Sequence, residues 1–441
     1  MSVWTQDANN NGIIEGNDHL YLYAGMRRGG RNYYALDVSN RTNPELLFQI
    51  EGGTGDFAEL GQSWSKPVVT KIKYLGQSRD VLIIAGGYDA DQDDYTKRTA
   101  DDIGRVIYIV DAKTGKKLWS GGHADAQPSE TFAAMNYSIP SGVKVIDGDG
   151  DGHIEQFYTG DMGGQLWRFD IDPNAKSEAS LISGGVIADL SSDDSAEATR
   201  RFYHTPDISF TLDQGKFVLN IAIGSGYQAH PLNQTIKDRF YLVRYPYDLN
   251  SEKLYGIQEG TEETAAYVPI TEDTLFDATD NVLGQGSAAD KAIAQEALAE
   301  SSGWFIQMER SGEKVLGSSL TLNNVVMFTS YMPSTHSYSC QPQLGTGTFW
   351  AVNLWDATPV ENFDDVGDES KLTKEDRNKY VPGAGLPAAV QTYFVETTTT
   401  DDEGNVTKKL VVASSSGPHI LIEHDLGSLT DRVYWSEYPD F

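Results

Sequence analysis

Between Val145 and Ile171 the chain reads VIDGDGDGHIEQFYTGDMGGQLWRFDI, and its first half is a run of alternating carboxylates. Asp147, Asp149 and Asp151 stand two residues apart, so a tightly curled backbone brings their side chains to one point. Gly152 sits where such a curl needs its sharp turn. His153 would then offer its main-chain carbonyl, and Glu155 would close the set directly or through water. The spacing matches positions 1, 3, 5, 6, 7 and 9 of an EF-hand-type loop. Three carboxylates a few ångströms apart repel by about 1 kcal/mol per pair even in bulk water. A divalent cation reverses that repulsion. The ligands are hard oxygens with no thiolate, which selects Ca2+ over zinc or copper. Position 12 is Tyr158, so the usual bidentate carboxylate is missing and the expected affinity is modest, roughly 0.1–1 mM.

A second, weaker copy lies near the N-terminus. Asp7, Asn9, Asn11, Gly12, Ile13 and Glu15 keep the same spacing, with Asp18 at position 12. Two asparagines lower the ligand charge, so a metal would be held less tightly there. Asp89, Asp91 and Asp93 also alternate, but no glycine follows at the sixth position. That stretch reads as a solvated turn.

Other chemistry is absent. The eight histidines form no HExxH and no HxH pair, and are read as satisfied or solvated side chains. No GxSxG elbow, P-loop or GxGxxG strand-to-helix turn occurs. Gly224-Ser-Gly226 follows a strand and reads as a turn. The single cysteine, Cys340, cannot form an internal disulfide and is read as buried and inert or, in an exported parent, paired with a segment outside this stretch. The expectation is a protein that is not an enzyme.

The composition narrows the partners. The 441 residues are 39% hydrophobic and 11% aromatic, ample for a buried core, with 64 acidic against 34 basic residues and a net charge of −30. Such a charge argues against nucleic acid or an anionic lipid surface as the main partner. No apolar run approaches the ~18 residues of a membrane span. Met1 is followed by no basic and then apolar region, so the chain is either cytoplasmic or a piece of a longer exported protein.

Behind the acidic loop the pattern is nearly all strand. Leu20–Ala24, Asn32–Asp37 and Leu46–Ile50 open the series, and Pro67–Lys73, Val81–Gly86, Arg105–Asp111 and Lys117–Trp119 continue it. Similar runs follow to Arg432–Glu437, in groups of three or four at a spacing of roughly 40–60 residues. In VIYIVDAKTGKKLWS, LWRFDIDP and FWAVNLWDATP a strand ends at a turn, and an aromatic residue can wedge between adjacent sheets. These are the marks of propeller blades, and 1–441 is read as one all-β propeller domain. Two inserts interrupt it, Glu259–Ser302, with one helix over Ala288–Glu300, and Asp356–Pro387. Both are expected to be surface excursions.

The longer motifs go further. LYAGMRRGGRNYYALDV, LGQSWSKPVV, GGYDADQD, DGDGDGHIEQFYTGDMGGQLWRFDI, RRFYHTPDIS and GEKVLGSSLTLNNVVMFTSY occur in that order. Together they resemble the C-terminal region of the PilC/PilY family of type IV pilus tip adhesins and biogenesis factors. The resemblance implies a modified β-propeller of about seven blades, related to quinoprotein dehydrogenases but without catalysis. It implies an exported parent acting at the cell surface and pilus tip. There it would engage pilin or minor pilins and a host or abiotic surface, as a monomer, and act in pilus assembly, opposition to retraction, attachment and twitching. The family's calcium loop falls on Asp147, Asp149, Asp151, His153 and Glu155, with Glu155 where Asp is common. No RGD tripeptide is present, so integrin binding is not carried over. Two rival readings are a scaffold in which calcium is purely structural and a quinone-dependent dehydrogenase. The second usually needs adjacent cysteines, and this chain has one.

Overall fold

The computed structural model describes residues 1–9, 11–192, 195–213, 215–247, 268–334, 344–363, 366, 372–381, 385–394, 399–400, 406–407, 409–414 and 424–425. The first sheet is an antiparallel meander of β1 (Ser2–Gln6), β2 (His19–Gly25), β3 (Tyr33–Asp37) and β4 (Glu45–Ile50). The second runs through β5 (Val68–Tyr74), β6 (Gln77–Ala85), β7 (Val106–Asp111) and β8 (Lys117–Gly122), with β9 (Glu130–Thr131) added parallel at its edge. The third holds β10 (Lys144–Ile146), β11 (Gln156–Gly160), β12 (Gln165–Ile171) and β13 (Ile182–Asp189).

The fourth holds β14 (Asp207–Asp213), β15 (Lys216–Gly224) and β16 (Arg239–Tyr247). After two short strands, β17 (Ile270–Thr271) and β18 (Phe276–Asp277), and two helices, α1 (Val282–Gln285) and α2 (Ala288–Glu300), β19 (Gly303–Gln307) completes it. The fifth contains β20 (Lys314–Val315), β21 (Leu320–Leu322), β22 (Val325–Met332), β23 (Thr346–Asn353) and β24 (Asn378–Val381). A three-stranded sheet of β25 (Val390–Phe394), β28 (Lys409–Ser414) and β29 (His424–Asp425) follows, with a ribbon of β26 (Thr399–Thr400) and β27 (Val406–Thr407). The expected all-β propeller is therefore present. Among the described residues its blades number five full sheets and one three-stranded sheet, against the expected seven or so.

The hydrophobic effect acts between the sheets. One cluster joins Tyr23 and Ile50 of the first sheet to Val106 and Tyr108 of the second. The next joins Ile83 and Trp119 to Phe157 and Trp167. Others join Tyr158 to Tyr241, and Phe240 and Trp304 to Phe328 and Trp350. The second to fifth sheets each bury both faces against their neighbours, which is how a ring of twisted sheets removes its apolar surface from water. The aromatic residues expected as wedges, Trp119, Trp167 and Trp350, occupy those seams.

Three expectations need correction. The stretch 259–302 is more than a surface excursion: β17 pairs parallel with β13, and β18 pairs parallel with β19, so it widens two blades. Within 356–387, β24 pairs with β23 and forms an outer strand. Val315–Leu322, one of the strand runs expected between Lys117–Trp119 and Arg432–Glu437, is two pieces that both pair with β22. The helix over Ala288–Glu300 matches α2 at both ends, with the Ser287 hydroxyl capping the Asp290 amide at 3.2 Å. Cys340, His419 and Arg432–Glu437 lie outside the described residues.

Candidate metal centre

In an antiparallel meander, the first and third connections leave one end of the blade, and the second and fourth leave the other. The loop 147–155 is the first connection of the third blade, between β10 and β11. The loop 7–18 is the first connection of the first blade, between β1 and β2. Both open at the same end of their sheets.

In the 147–155 loop the backbone curls around its own carboxylates. Asp147 accepts from the Gly150 amide at 2.7 Å and the Gly152 amide at 2.9 Å, while Asp149 accepts from the Asp151 amide at 2.9 Å. Gly150 and Gly152 adopt φ of +77° and +86°, conformations that side chains disfavour. As a result Asp147, Asp149, Asp151 and Glu155 each offer an oxygen within 4.8 Å of the others. These are the four carboxylates the spacing singled out. The fifth expected ligand is the main-chain carbonyl of His153. Its ring is engaged separately, with Nδ1 2.8 Å from Asp151 Oδ1 and Nε2 2.8 Å from Ser78 Oγ.

Electrostatics favour a cation here. Burial, and then the charges of Asp149, Asp147 and Asp151, push the Glu155 carboxyl up to about 7, against the pull of the Gly148 amide at 2.7 Å. A divalent ion among these oxygens would relieve that crowding, so the donor set fits a hard cation. Asp151 moves the other way, held below its ordinary value by hydrogen bonds from His153. Tyr158 is buried between blades, and its hydroxyl donates to Gln156 at 2.9 Å. It contributes nothing at position 12.

The second blade supports this loop, which sequence reasoning missed. Lys73 Nζ lies 3.4 Å from Asp151, the Lys71 carbonyl accepts the Ile154 amide at 2.9 Å, and Ser78 meets His153. These partners lie some 75 residues away along the chain, so no local signal could reveal them. Behind the loop, the Ile171 amide donates to the Glu155 carbonyl at 2.7 Å. On the same strand, Arg168 and Asp170 form a buried pair at 2.8 Å.

The 7–18 loop repeats the backbone device. Gly12, with φ +77°, donates its amide to Asp7 Oδ2 at 2.7 Å. Asp18, however, is turned to the main chain, accepting the Ala8 amide at 2.9 Å and the Glu15 amide at 3.2 Å. Asn9 and Asn11 accept the amides of Asn11 and Ile13, and Glu15 Oε1 accepts from the Asn11 side chain at 3.1 Å. This loop lacks the group of four mutually close carboxylates seen in the other.

Elsewhere the Asp89–Asp93 stretch is not the solvated turn expected. Asp89 is buried and caps a short helical turn through the Asp91 amide at 3.0 Å, and Asp93 forms a two-pronged pair with Arg28. Tyr88, whose hydroxyl donates to Asp93 at 2.6 Å, is fully buried, whereas Tyr380 is exposed. His204 also departs from expectation: its Nε2 is buried without a hydrogen-bond partner.

A family model described as the PilY1 beta-propeller domain matches residues 7–207, a span that includes both loops. Among curated relatives, the type IV pilus biogenesis factor PilY1 of Pseudomonas aeruginosa strain UCBPP-PA14 is 29% identical over 169 residues, covering 38% of this chain and 12% of that protein. The protein of the same name from strain PAO1 is 22% identical over 384 residues, covering 76% and 30%. The chain thus spans less than a third of the length of these relatives. The crystal structure of the Pseudomonas aeruginosa PilY1 C-terminal domain aligns with a TM-score of 0.59 at 17% identity, over 92% of this chain and 80% of that one. That likeness is one of fold.

Proposed function

The chain belongs to the PilC/PilY family of type IV pilus proteins, and from that membership we propose that it is a calcium-responsive, non-enzymatic propeller domain of a pilus-associated surface protein. Its work would be in pilus assembly, control of retraction and twitching, and attachment to a host or abiotic surface. The observation that carries this reading is the group of four carboxylates within 4.8 Å on the 147–155 loop. The named relatives are type IV pilus biogenesis factors, which supports the setting at the pilus. Asp147, Asp149, Asp151 and Glu155 would hold the ion, with the His153 carbonyl as a further donor. At ten times its dissociation constant, calcium would add about 1.4 kcal/mol to the folded state. That biases a loop equilibrium and is far too little to fold a propeller.

Asp149 is exposed, and its carboxylate holds one amide of the loop. Asp149→Ala should therefore abolish calcium binding in calorimetry while leaving the thermal midpoint without calcium unchanged. Undiminished affinity in that variant would sink the site.

One observation favours a second reading. The loop is already braced by its own amides and by Lys73 and Ser78 of the second blade, as a merely structural staple would be. Piliation and twitching of an Asp147→Ala strain separate the two readings. A staple predicts no phenotype at normal protein level.

A further inference from the structure

The 7–18 loop contains the one Asn-Gly step in the sequence, Asn11-Gly12. The backbone nitrogen that follows an asparagine can attack the asparagine Cγ, because joining the two atoms closes a five-membered ring within one chain. Glycine obstructs that closure least, since it has no Cβ. Asn11 and Gly12 are both exposed, and a Cβ built on Gly12 meets nothing within 4 Å. The surroundings therefore leave room for the ring to form.

The contacts around the step meet the three needs of that reaction. The attacking nitrogen must lose its proton, and the Gly12 amide donates to Asp7 Oδ2 at 2.7 Å. Asp7 is half-buried and steadied by the Asn9 amide, which donates to Oδ1 at 3.2 Å. The side-chain carbonyl oxygen gathers negative charge as Cγ becomes tetrahedral, and Asn11 Oδ1 already accepts the Ile13 amide at 2.8 Å. The leaving nitrogen must be held in place, and Asn11 Nδ2 donates to Glu15 Oε1 at 3.1 Å. Base, oxyanion donor and clamp on the leaving group thus come from three different residues. The 147–155 loop repeats part of this, with the Gly152 amide on Asp147 and the His153 amide on Asp151. Asp151, however, carries a carboxylate where Asn11 has an amide, and an ionised carboxylate is a far poorer electrophile.

We propose that Asn11 is a self-modification site, at which the loop converts its own asparagine to an acid with Asp7 as the base. Asp7 Oδ2 takes the Gly12 amide proton, the bond from Gly12 N to Asn11 Cγ forms, and the charge on Oδ1 rests against the Ile13 amide. The bond from Cγ to Nδ2 then breaks. The nitrogen leaves as ammonia with the proton that Asp7 took up, and a cyclic imide remains. Water adds to one of the two imide carbonyls and opens the ring to aspartate or isoaspartate. Water enters and ammonia departs, with no oxidant, reductant or second protein. The product carries one more negative charge, at the position where the other loop has Asp151. The step depends neither on calcium nor on the pilus reading.

The test is incubation of the whole chain at neutral pH, followed by peptide mapping with mass spectrometry, which reads the conversion of amide to acid at each asparagine. Asn11 should convert in the wild type, while Asn9 and Asn17, exposed in the same loop, stay unchanged over the same time. Asp7→Asn keeps the shape of the side chain and removes the base, so the conversion should slow by at least about tenfold. Asp7→Glu keeps a carboxylate in reach and should retain most of the rate. A loop merely loosened by substitution would close the ring more readily, so slowing in Asp7→Asn cannot be a sign of damage. No conversion at Asn11 in the wild type, or conversion of Asn9 and Asn17 at the same rate, overturns the proposal. Equal or faster conversion in Asp7→Asn overturns it too, showing that the Asp7 contact shields the Gly12 nitrogen.

Discussion

The Gly152 amide donates to Asp147 Oδ2 at 2.9 Å, and it can turn inward only because Gly152 holds φ at +86°. The first carboxylate of the loop is thus oriented by the residue that makes its turn. A Cβ added at Gly152 meets nothing within 4 Å. The cost of Gly152→Ala is therefore conformational alone, about 1–2 kcal/mol. Because the strain falls on the arrangement that gathers the carboxylates, calcium affinity should drop by about tenfold. The global urea midpoint should shift little, since the loop can yield without disturbing the seams between blades. Calorimetry on the variant, with denaturation run in parallel, checks both.

Arg168 and Asp170 sit one pleat apart on β12, each 2% exposed, joined by bonds of 3.0 and 2.8 Å. Removing one partner leaves the other charge buried and uncompensated. Asp170→Ala should cost roughly 3–5 kcal/mol in urea denaturation, while replacing both residues with apolar ones of similar volume should cost much less. Equal losses would show that the pair is held by packing and not by charge.

The two acidic loops differ in charge, not in backbone. Asn9 and Asn11 stand where the other loop has Asp149 and Asp151, and Asp18 is occupied by two amides. A calcium titration should therefore give one site below about 1 mM. The 7–18 loop should fill only well above that range, and Asp7→Ala should leave the first site unaltered. Two equal sites, or loss of the tighter site in Asp7→Ala, would contradict this.

What the sequence disclosed divides by distance along the chain. The carboxylates of 147–155 were legible because nine consecutive residues hold the spacing and the glycine that shape the loop. Helix α2 was legible because its cap and its run of helix formers are local. Strand β1 (SVWTQ) shows little apolar alternation, and β13 (ISGGVIAD) is broken by two glycines, so neither declared itself. The added strands β9, β17 and β18 are two residues long and exist only because a neighbouring edge accepts them. Lys73 and Ser78 reach the loop from another blade. The burial of Asp89 and the pairing of Asp93 likewise depend on chain remote from them, Asp93 on Arg28 in the first blade.

His204 provides a handle on acid stability. Burial, with Arg27 adding to it, lowers its imidazole from an ordinary 6.5 to about 4, and its Nε2 has no hydrogen-bond partner. In the unfolded chain the ring takes its proton near 6.5, so between that pH and about 4 the unfolded state binds more protons than the folded one. Stability is therefore fully present above pH 6.5 and is lost as pH falls toward 4. From pH 7.5 to 5 the loss from this group alone should be about 2 kcal/mol. Asp101 and Asp161, which burial pushes up to about 7, slope the opposite way over the same range. The total pH dependence hides the effect, and the difference between wild type and His204→Gln isolates it. That difference in urea-derived stability should change by about 2 kcal/mol between pH 7.5 and 5, the variant losing less. Parallel pH profiles for the two proteins would mean that His204 titrates normally in the folded chain.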